Sequence, residues 1–230
     1  MSEKKPSKAP EKSGNEKNPN SLLIYGGGGH GKSILELVQA LGTYPVEGFI
    51  DDRLTPGSHI LGTPVLGGAE VLEELASKGI RLAVNAVGGI GDLETRVKIF
   101  QVLKDVGFDF PVLIHPTATV EPSAHLSPGT QILPHAYVGT QARVGFGVIV
   151  NSGAIVSHDC QVGDYSGLAP GAMLAGEVQI GKYVQVGMGV TINLGLSIGE
   201  GSLLGNSAVI KQDVPVNTVV RAGALWPPRE

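Results

Sequence analysis

From Ile114 onward an aliphatic residue stands at every sixth position: Ile114, Val120, Leu126, Ile132, Val138 and so on, without a break, to Val216, eighteen positions in all. A period of six matches neither an amphipathic helix, near 3.6, nor an alternating strand, at two. It suits a coil of short strands joined by tight corners. Two residues before each aliphatic the side chain is usually small (Ala136, Ala142, Ala154, Cys160, Ser166, Ala172), so both inward positions fit a narrow, dry interior. The residue after it is often Gly or Asn (Gly139, Gly145, Asn151, Gly163, Gly181), types that tolerate left-handed backbone and are expected at the corners. This is the hexapeptide pattern of a parallel β-helix. Three hexapeptides per triangular turn predict six coils, stacked at about 4.8 Å each.

Residues 21–111 carry a different pattern. Leu22-Leu23-Ile24-Tyr25 is a short apolar run, read as a buried strand, and a glycine cluster follows it. Apolar residues at Ile34, Leu37, Val38 and Leu41 have helical spacing, predicting a helix over 33–41. Strands are predicted over 46–50 and 81–87, and helices over 69–78 and 93–106, each helix closed by a glycine. Strand and helix in alternation indicate a small parallel α/β domain. Residues 1–20 are Lys, Glu, Pro, Ser and Asn with almost no large apolar side chain, and are expected to form a flexible tail.

Composition narrows the function classes. A net charge of −4 leaves no basic footprint for nucleic acid. One cysteine excludes an intrachain disulfide and a thiolate metal cage. No apolar run approaches the roughly 18 residues of a membrane span, and no signal-peptide core follows the charged start. A cytoplasmic location is expected.

The segment Gly26-Gly27-Gly28-Gly29-His30-Gly31-Lys32-Ser33 satisfies two phosphate-binding patterns at once. Gly26, Gly28 and Gly31, with Asp51 about 20 residues on, fit the dinucleotide fingerprint. Gly26, Gly31, Lys32 and Ser33 fit the triphosphate loop. A triphosphate enzyme needs a larger sheet and a separate metal-holding acid, and a dinucleotide site needs two mononucleotide halves, yet only residues 21–111 are available. The glycines could also serve tight strand-to-helix packing alone. The remaining reading is another phosphate-bearing ligand, such as a nucleotide sugar, held by backbone N–H groups at a helix N-terminus.

Within the repeats, Val156-Ser157-His158-Asp159-Cys160 is the chemically unusual hexapeptide. His158 follows the inward Val156 by two and points outward, where a solvated histidine is the ordinary outcome. Asp159 adjoins it, and Asn151, seven residues earlier, is expected near the same corner. A histidine held by a carboxylate suits general base catalysis, since imidazole titrates near neutrality. Cys160 occupies a small inward position, so it is expected to be buried and inert. His115, His125, His135 and His158 fall at four different hexapeptide phases with no pair 18 apart, so no metal site is expected.

Taken together, Gly-Gly-His-Gly after the first strand, Asp51-Asp52 after the second, Gly62-Thr63-Pro64-Val65-Leu66-Gly67, and Ile114-His115-Pro116-Thr117-Ala118 leading into hexapeptides resemble the sialic acid O-acetyltransferase-like family. That family includes UDP-4-amino-sugar and GDP-perosamine N-acetyltransferases. The resemblance implies a Rossmann-like βαβ domain over 21–111, a left-handed β-helix over 112–220 and a C-terminal tail over 221–230. It implies acetyl-CoA as co-substrate, no metal, and a homotrimer with sites between neighbours. It assigns His158 as the base that deprotonates a sugar amino group during attack on the thioester, with Asp159 supporting it and Asn151 in the same site. Gly176 is implied as the backbone donor to the thioester oxygen. Gly28, Gly29, His30, Asp51 and Asp52 match positions that hold the nucleotide and its phosphates, and the two acids favour UDP. The chain departs from its relatives at Gly167, where some carry a second histidine, and at the C-terminus, which lacks a Gly-x-Pro-Ala segment. Two other functions are compatible with these residues: O-acetylation of a sialic-acid-like sugar, and a non-catalytic trimeric scaffold that senses a nucleotide.

Overall fold

The computed structural model describes residues 20–88 and 93–228; the expected flexible tail lies outside them apart from Asn20. The α/β unit is built on β1 (Leu22–Tyr25), whose four side chains are all buried, as a central strand covered on both faces requires. It lies between β2 (Val46–Ile50) and β5 (Leu82–Asn85), parallel to both. Beyond β2 come β4 (Thr63–Gly67), parallel to it, and β3 (His59–Ile60), antiparallel to β4. The chain leaves β1 for one side and returns on the other, so the crevice at its carboxyl end is the switch point where such sheets take ligands.

Helix α1 (Gly29–Leu41) starts four residues before the predicted boundary and takes Gly29-His30-Gly31-Lys32 into its first turn. Gly31 permits this, because a Cβ there would stand 2.0 Å from the Gly26 carbonyl oxygen. The α1 face carrying Ile34, Leu35, Leu37 and Val38 is buried, and left-handed Gly42 closes the helix by donating to Val38 O. The segment predicted as helix over 69–78 is a 3₁₀ turn, Ala69–Val71, followed by α2 (Leu72–Ser77). Helix α3 (Leu93–Val106) ends at the left-handed Gly107.

From Leu113 the chain coils. Each strand is two residues long and, as far as Ile210, pairs in parallel with the strand 18 residues away; there are three sheets, of seven, five and seven strands. The sixth-position aliphatics and the small residues two before them line one continuous core. The glycines just after each aliphatic have a role other than the one expected. None of Gly139, Gly145, Gly163, Gly181 or Gly187 has positive φ; instead, a Cβ on any of them would come within 2.9 Å of the next coil. The left-handed residue falls three after the aliphatic, as at Gly129, Gly147, Gly153, His135, Asp159 and Glu177. Close stacking demands the first position, and corner geometry the second.

The sixth-residue register does not run to its predicted end. Ile198 bridges Val214, and Leu204 and Ile210 pair with Val220 and Trp226, each 16 residues on. Val214 is thus inward and 3% exposed, whereas Val216 is 63% exposed. The coil also continues beyond residue 220: the expected tail supplies the strand Leu225–Trp226, and Trp226 Nε1 donates to Asp213 O at 3.0 Å.

The two units share a buried junction. Leu133 and Ile149 of the coil join the cluster of Ile34, Val38 and Phe49. Phe100 of α3 packs into the space left by Gly129 and Gly147 and meets Phe110, Phe146 and Tyr165 edge to face. Beside it, fully buried Arg96 donates to Gly147 O and lies over the Phe100 ring; burial pulls its guanidinium down to about 10.

The slipped register is checked by two substitutions. Val214→Asp buries a charge and should cost on the order of 2 kcal/mol or more in urea unfolding, while Val216→Asp should stay within about 0.5 kcal/mol. The reverse order would place Val216 inside and restore the unbroken period of six.

Candidate active site

A cleft of about 380 Å³ opens at the carboxyl ends of β1 and β5, lined by Gly28, Gly29, His30, Asp51, Asp52 and Gly88 among others. Its glycines divide into two groups. Gly26 has φ +109, Gly27 faces Ile60 and Leu54 too closely for a side chain, and Gly31 seats α1 on the strand. Packing accounts for these three. At Gly28 and Gly29 a Cβ would meet nothing within 4 Å, so packing does not require glycine there. Bare backbone at these two positions keeps the start of α1 open toward the cleft, the arrangement that suits an anionic ligand. Lys32 is exposed on the helix surface.

The acids after β2 are held in place. Asp51 accepts from the N–H of Gly27 at 2.7 Å and of Arg53 at 2.9 Å, tying the glycine loop to the next strand. Asp52 accepts from Ala69 N at 2.8 Å and from the Tyr25 hydroxyl at 2.7 Å. Burial, then this hydrogen bond and the neighbouring acids, pushes the Tyr25 phenol well above its ordinary value, so it stays a donor.

His30 stands at the meeting point of this cleft with cavities of about 270 and 400 Å³ that run along the coil. Its protonation is set by a relay across the domain junction. Gln131 of the coil donates through Nε2 to Asn85 O at 2.8 Å, which leaves its Oε1 to accept from His30 Nε2 at 2.8 Å. Asn85 in turn donates to Arg96 O at 2.7 Å. The His30 ring therefore carries its proton on Nε2 and keeps Nδ1 as acceptor. Burial lowers its pKa, the Gln131 bond opposes that shift, and the Arg96 charge adds to it. The sequence did not single out Gln131 or Arg96.

His158 and Asp159 are brought together: Nδ1–H donates to Asp159 Oδ2 at 2.8 Å, leaving Nε2 as the free ring nitrogen. Gly176 lies one coil away against the ring, where a Cβ would stand 2.5 Å from Nε2. Asn151 is not at this corner. It follows the strand Ile149–Val150, whereas His158 follows Ile155–Val156, so the two flank one face of the prism. Asn151 instead lines the cavities of about 270 and 400 Å³ that meet at His30. Cys160 is fully buried, and burial raises its thiol pKa. Among the described residues no group of three His, Cys, Asp or Glu side chains is placed to hold a metal ion, and no helix is long and apolar enough to cross a membrane.

Comparison with known proteins bears on both halves of this arrangement. The PglD N-terminal domain family matches residues 21–103. No curated protein sequence matches the chain significantly. Among solved structures, a variant of perosamine N-acetyltransferase from Caulobacter crescentus, in complex with CoA and GDP-perosamine, is 32% identical over 88% of this chain and 94% of that one, with a TM-score of 0.83. The acetyltransferase domain of PglB from Neisseria gonorrhoeae, in complex with acetyl coenzyme A, is 35% identical over 90% and 98% of the two chains, with a TM-score of 0.81. WeeI from Acinetobacter baumannii is 26% identical over 90% and 98%, with a TM-score of 0.76. The coil is accordingly the left-handed parallel β-helix of hexapeptide-repeat acetyltransferases. With its Rossmann-like domain, glycine-loop cleft and stacked coils in one continuous match, the chain belongs to the sugar acyltransferase family, close to the GDP-perosamine N-acetyltransferases.

Proposed function

We propose that this protein is a cytoplasmic enzyme that transfers the acetyl group of acetyl-CoA to the amino group of a nucleotide-linked amino sugar. The observation that carries the chemistry is the His158 ring, held at Nδ1 by Asp159, with Nε2 beside the side-chain-free Gly176. The neutral sugar amine attacks the thioester carbonyl carbon, forming the C–N bond, and the carbonyl oxygen takes up negative charge. His158 Nε2 removes the amine proton, and Asp159 stabilises the resulting imidazolium. The Gly176 N–H serves the developing oxyanion. Collapse breaks the C–S bond, and CoA leaves with the proton on its sulfur. The nucleotide occupies the cleft at Gly28 and Gly29, with Asp51 and Asp52 on its rim. UDP is the nucleotide proposed, on the likeness of those acids to uridine-binding members.

One copy does not complete this site, because Asn151 and the nucleotide cleft lie at one corner of the prism and His158 at the next. The face between them presents an outward column of Tyr137, Ile155, Met173, Thr191 and Val209, with Met173 41% exposed. The partly exposed apolar side chains of Ile155 and Met173 on this face suit burial against another copy. A homotrimer places the cleft of one copy against the partner's His158.

Two measurements test this reading. His158→Ala truncates an exposed side chain, so the assembly should stay folded while kcat/KM falls by about 10²–10⁴, the usual contribution of a general base. Retention of more than about a tenth of the rate would remove His158 from that role. Met173→Glu should yield monomers by sedimentation and abolish acetyl transfer. A fully active monomer would place the whole site within one chain.

A further inference from the structure

Arg96 brings into the junction a charge that the proposed chemistry does not use. The residue is fully buried, and its guanidinium makes one hydrogen bond, from Nη2 to the Gly147 carbonyl oxygen, with the Phe100 ring beneath it. Nε and Nη1 have no partner, and among the described residues no carboxylate pairs with the charge. A buried ion without a counter-charge is costly to the folded chain until an opposite charge comes within reach. The glycine-loop cleft lies close by: Thr95 and Ile99, before and after Arg96 in α3, line it. Gly147, which accepts from Arg96, stands two residues before Ile149, and Ile149 pairs with Gln131, the partner of His30 in the cleft wall. Two residues along a strand and one step between coils put the guanidinium on the order of 10 Å from the His30 ring. Its charge acts there, adding to the lowering of the His30 pKa. The cleft's own side chains do not favour an anion, since Asp51 and Asp52 outnumber Arg53.

Resting on the nucleotide-sugar reading above, we propose that Arg96 is a specificity-determining residue that selects the ligand by its phosphate charge, acting through the protein interior without touching it. The diphosphate is the counter-charge that the buried guanidinium lacks. Backbone N–H groups at Gly28 and Gly29 fix where the phosphates sit, but they are dipoles and carry no net charge; Arg96 supplies it from behind the wall. That placement has a physical advantage. A cation on the cleft surface would pair with Asp51 or Asp52 whenever the ligand is absent, whereas Arg96 is held away from both acids by Phe100 and the Gly147 carbonyl. A unit negative charge about 10 Å from a cation, at an effective dielectric constant near 20, gains roughly tenfold in affinity. An uncharged nucleoside gains nothing from it.

The test is calorimetric titration of the protein with UDP and uridine, and with GDP and guanosine. On whichever base binds, wild type should take the diphosphate at least about tenfold more tightly than the nucleoside. Arg96→Met, similar in length and uncharged, should weaken diphosphate binding by about tenfold and leave the nucleoside unchanged. Arg96→Lys keeps the charge and should keep the diphosphate affinity. A diphosphate loss under about fivefold in Arg96→Met would deny the charge its role. Equal losses of diphosphate and nucleoside in that variant, or an Arg96→Lys variant as weak as Arg96→Met, would make Arg96 a packing residue and overturn the proposal equally. Wild type alone gives a second test that needs no variant to fold. Raising salt from about 50 to about 500 mM should change the diphosphate-to-nucleoside ratio less than about threefold, because a buried charge is screened little. A larger fall would place the phosphates on the exposed Lys32 or Arg53 and sink the inference. Equal binding of diphosphate and nucleoside would reject Arg96's role and leave the nucleotide cleft standing, whereas no binding of any of the four would reject the cleft itself.

Discussion

Coils stacked at about 4.8 Å govern almost everything in this protein. A residue and its counterpart 18 positions later are direct neighbours, so the side chain of one limits the space of the other. Glycine recurs after the inward aliphatics because the adjacent coil passes where a Cβ would be. The same constraint shapes two polar features of the coil. His158 can lie flat at its corner because Gly176, one coil on, has no side chain. Gln185 can reach over its face because Gly167, one coil back, has none. In each case a glycine creates the space and a polar side chain from the neighbouring coil occupies it.

The second dependency is the junction between the two units. Hydrophobic contacts among Ile34, Val38, Leu133 and Ile149 bring α1 onto the coil without orienting any polar group. Orientation comes from the relay of Asn85, Gln131 and His30, anchored on the Arg96 backbone carbonyl. Each member is buried or nearly so, and a buried polar group left unpaired costs about 1–3 kcal/mol, which favours one arrangement over near alternatives. The relay also selects the His30 tautomer, so a contact between the domains sets the chemistry offered to the cleft.

Much of the fold was legible in the sequence because its repeats are short and local. A period of six over a hundred residues has one compact solution, and strand-to-helix alternation ahead of it has few. The glycine loop satisfied two phosphate motifs at once, and only the neighbours of each glycine separate its members: packing explains Gly26, Gly27 and Gly31, and leaves Gly28 and Gly29 facing an open cleft. The register near the C-terminus was hidden for an equally local reason. Val214 and Val216 are the same residue type two positions apart, so a coil shortened by two residues still presents a valine at the counted sixth position.

Position along the chain alone determined the coil, its inward residues, the α/β domain before it, and the His158–Asp159 pair, whose members are adjacent in sequence. It could not rank the outward residues. Gln131, Gln161, Gln179 and Gln185 occupy the same phase of the hexapeptide and look alike as sequence. Tertiary structure separates them: the α/β domain covers the face bearing Gln131 and Gln185, while Gln161 stays exposed on another face. It also parts Asn151 from His158, since six residues carry the chain past a corner of the prism and seven residues of separation spans a face. The physical reason is common to all these cases. Local periodicity states which way a side chain points, and only the packing of one unit on another states what it points at.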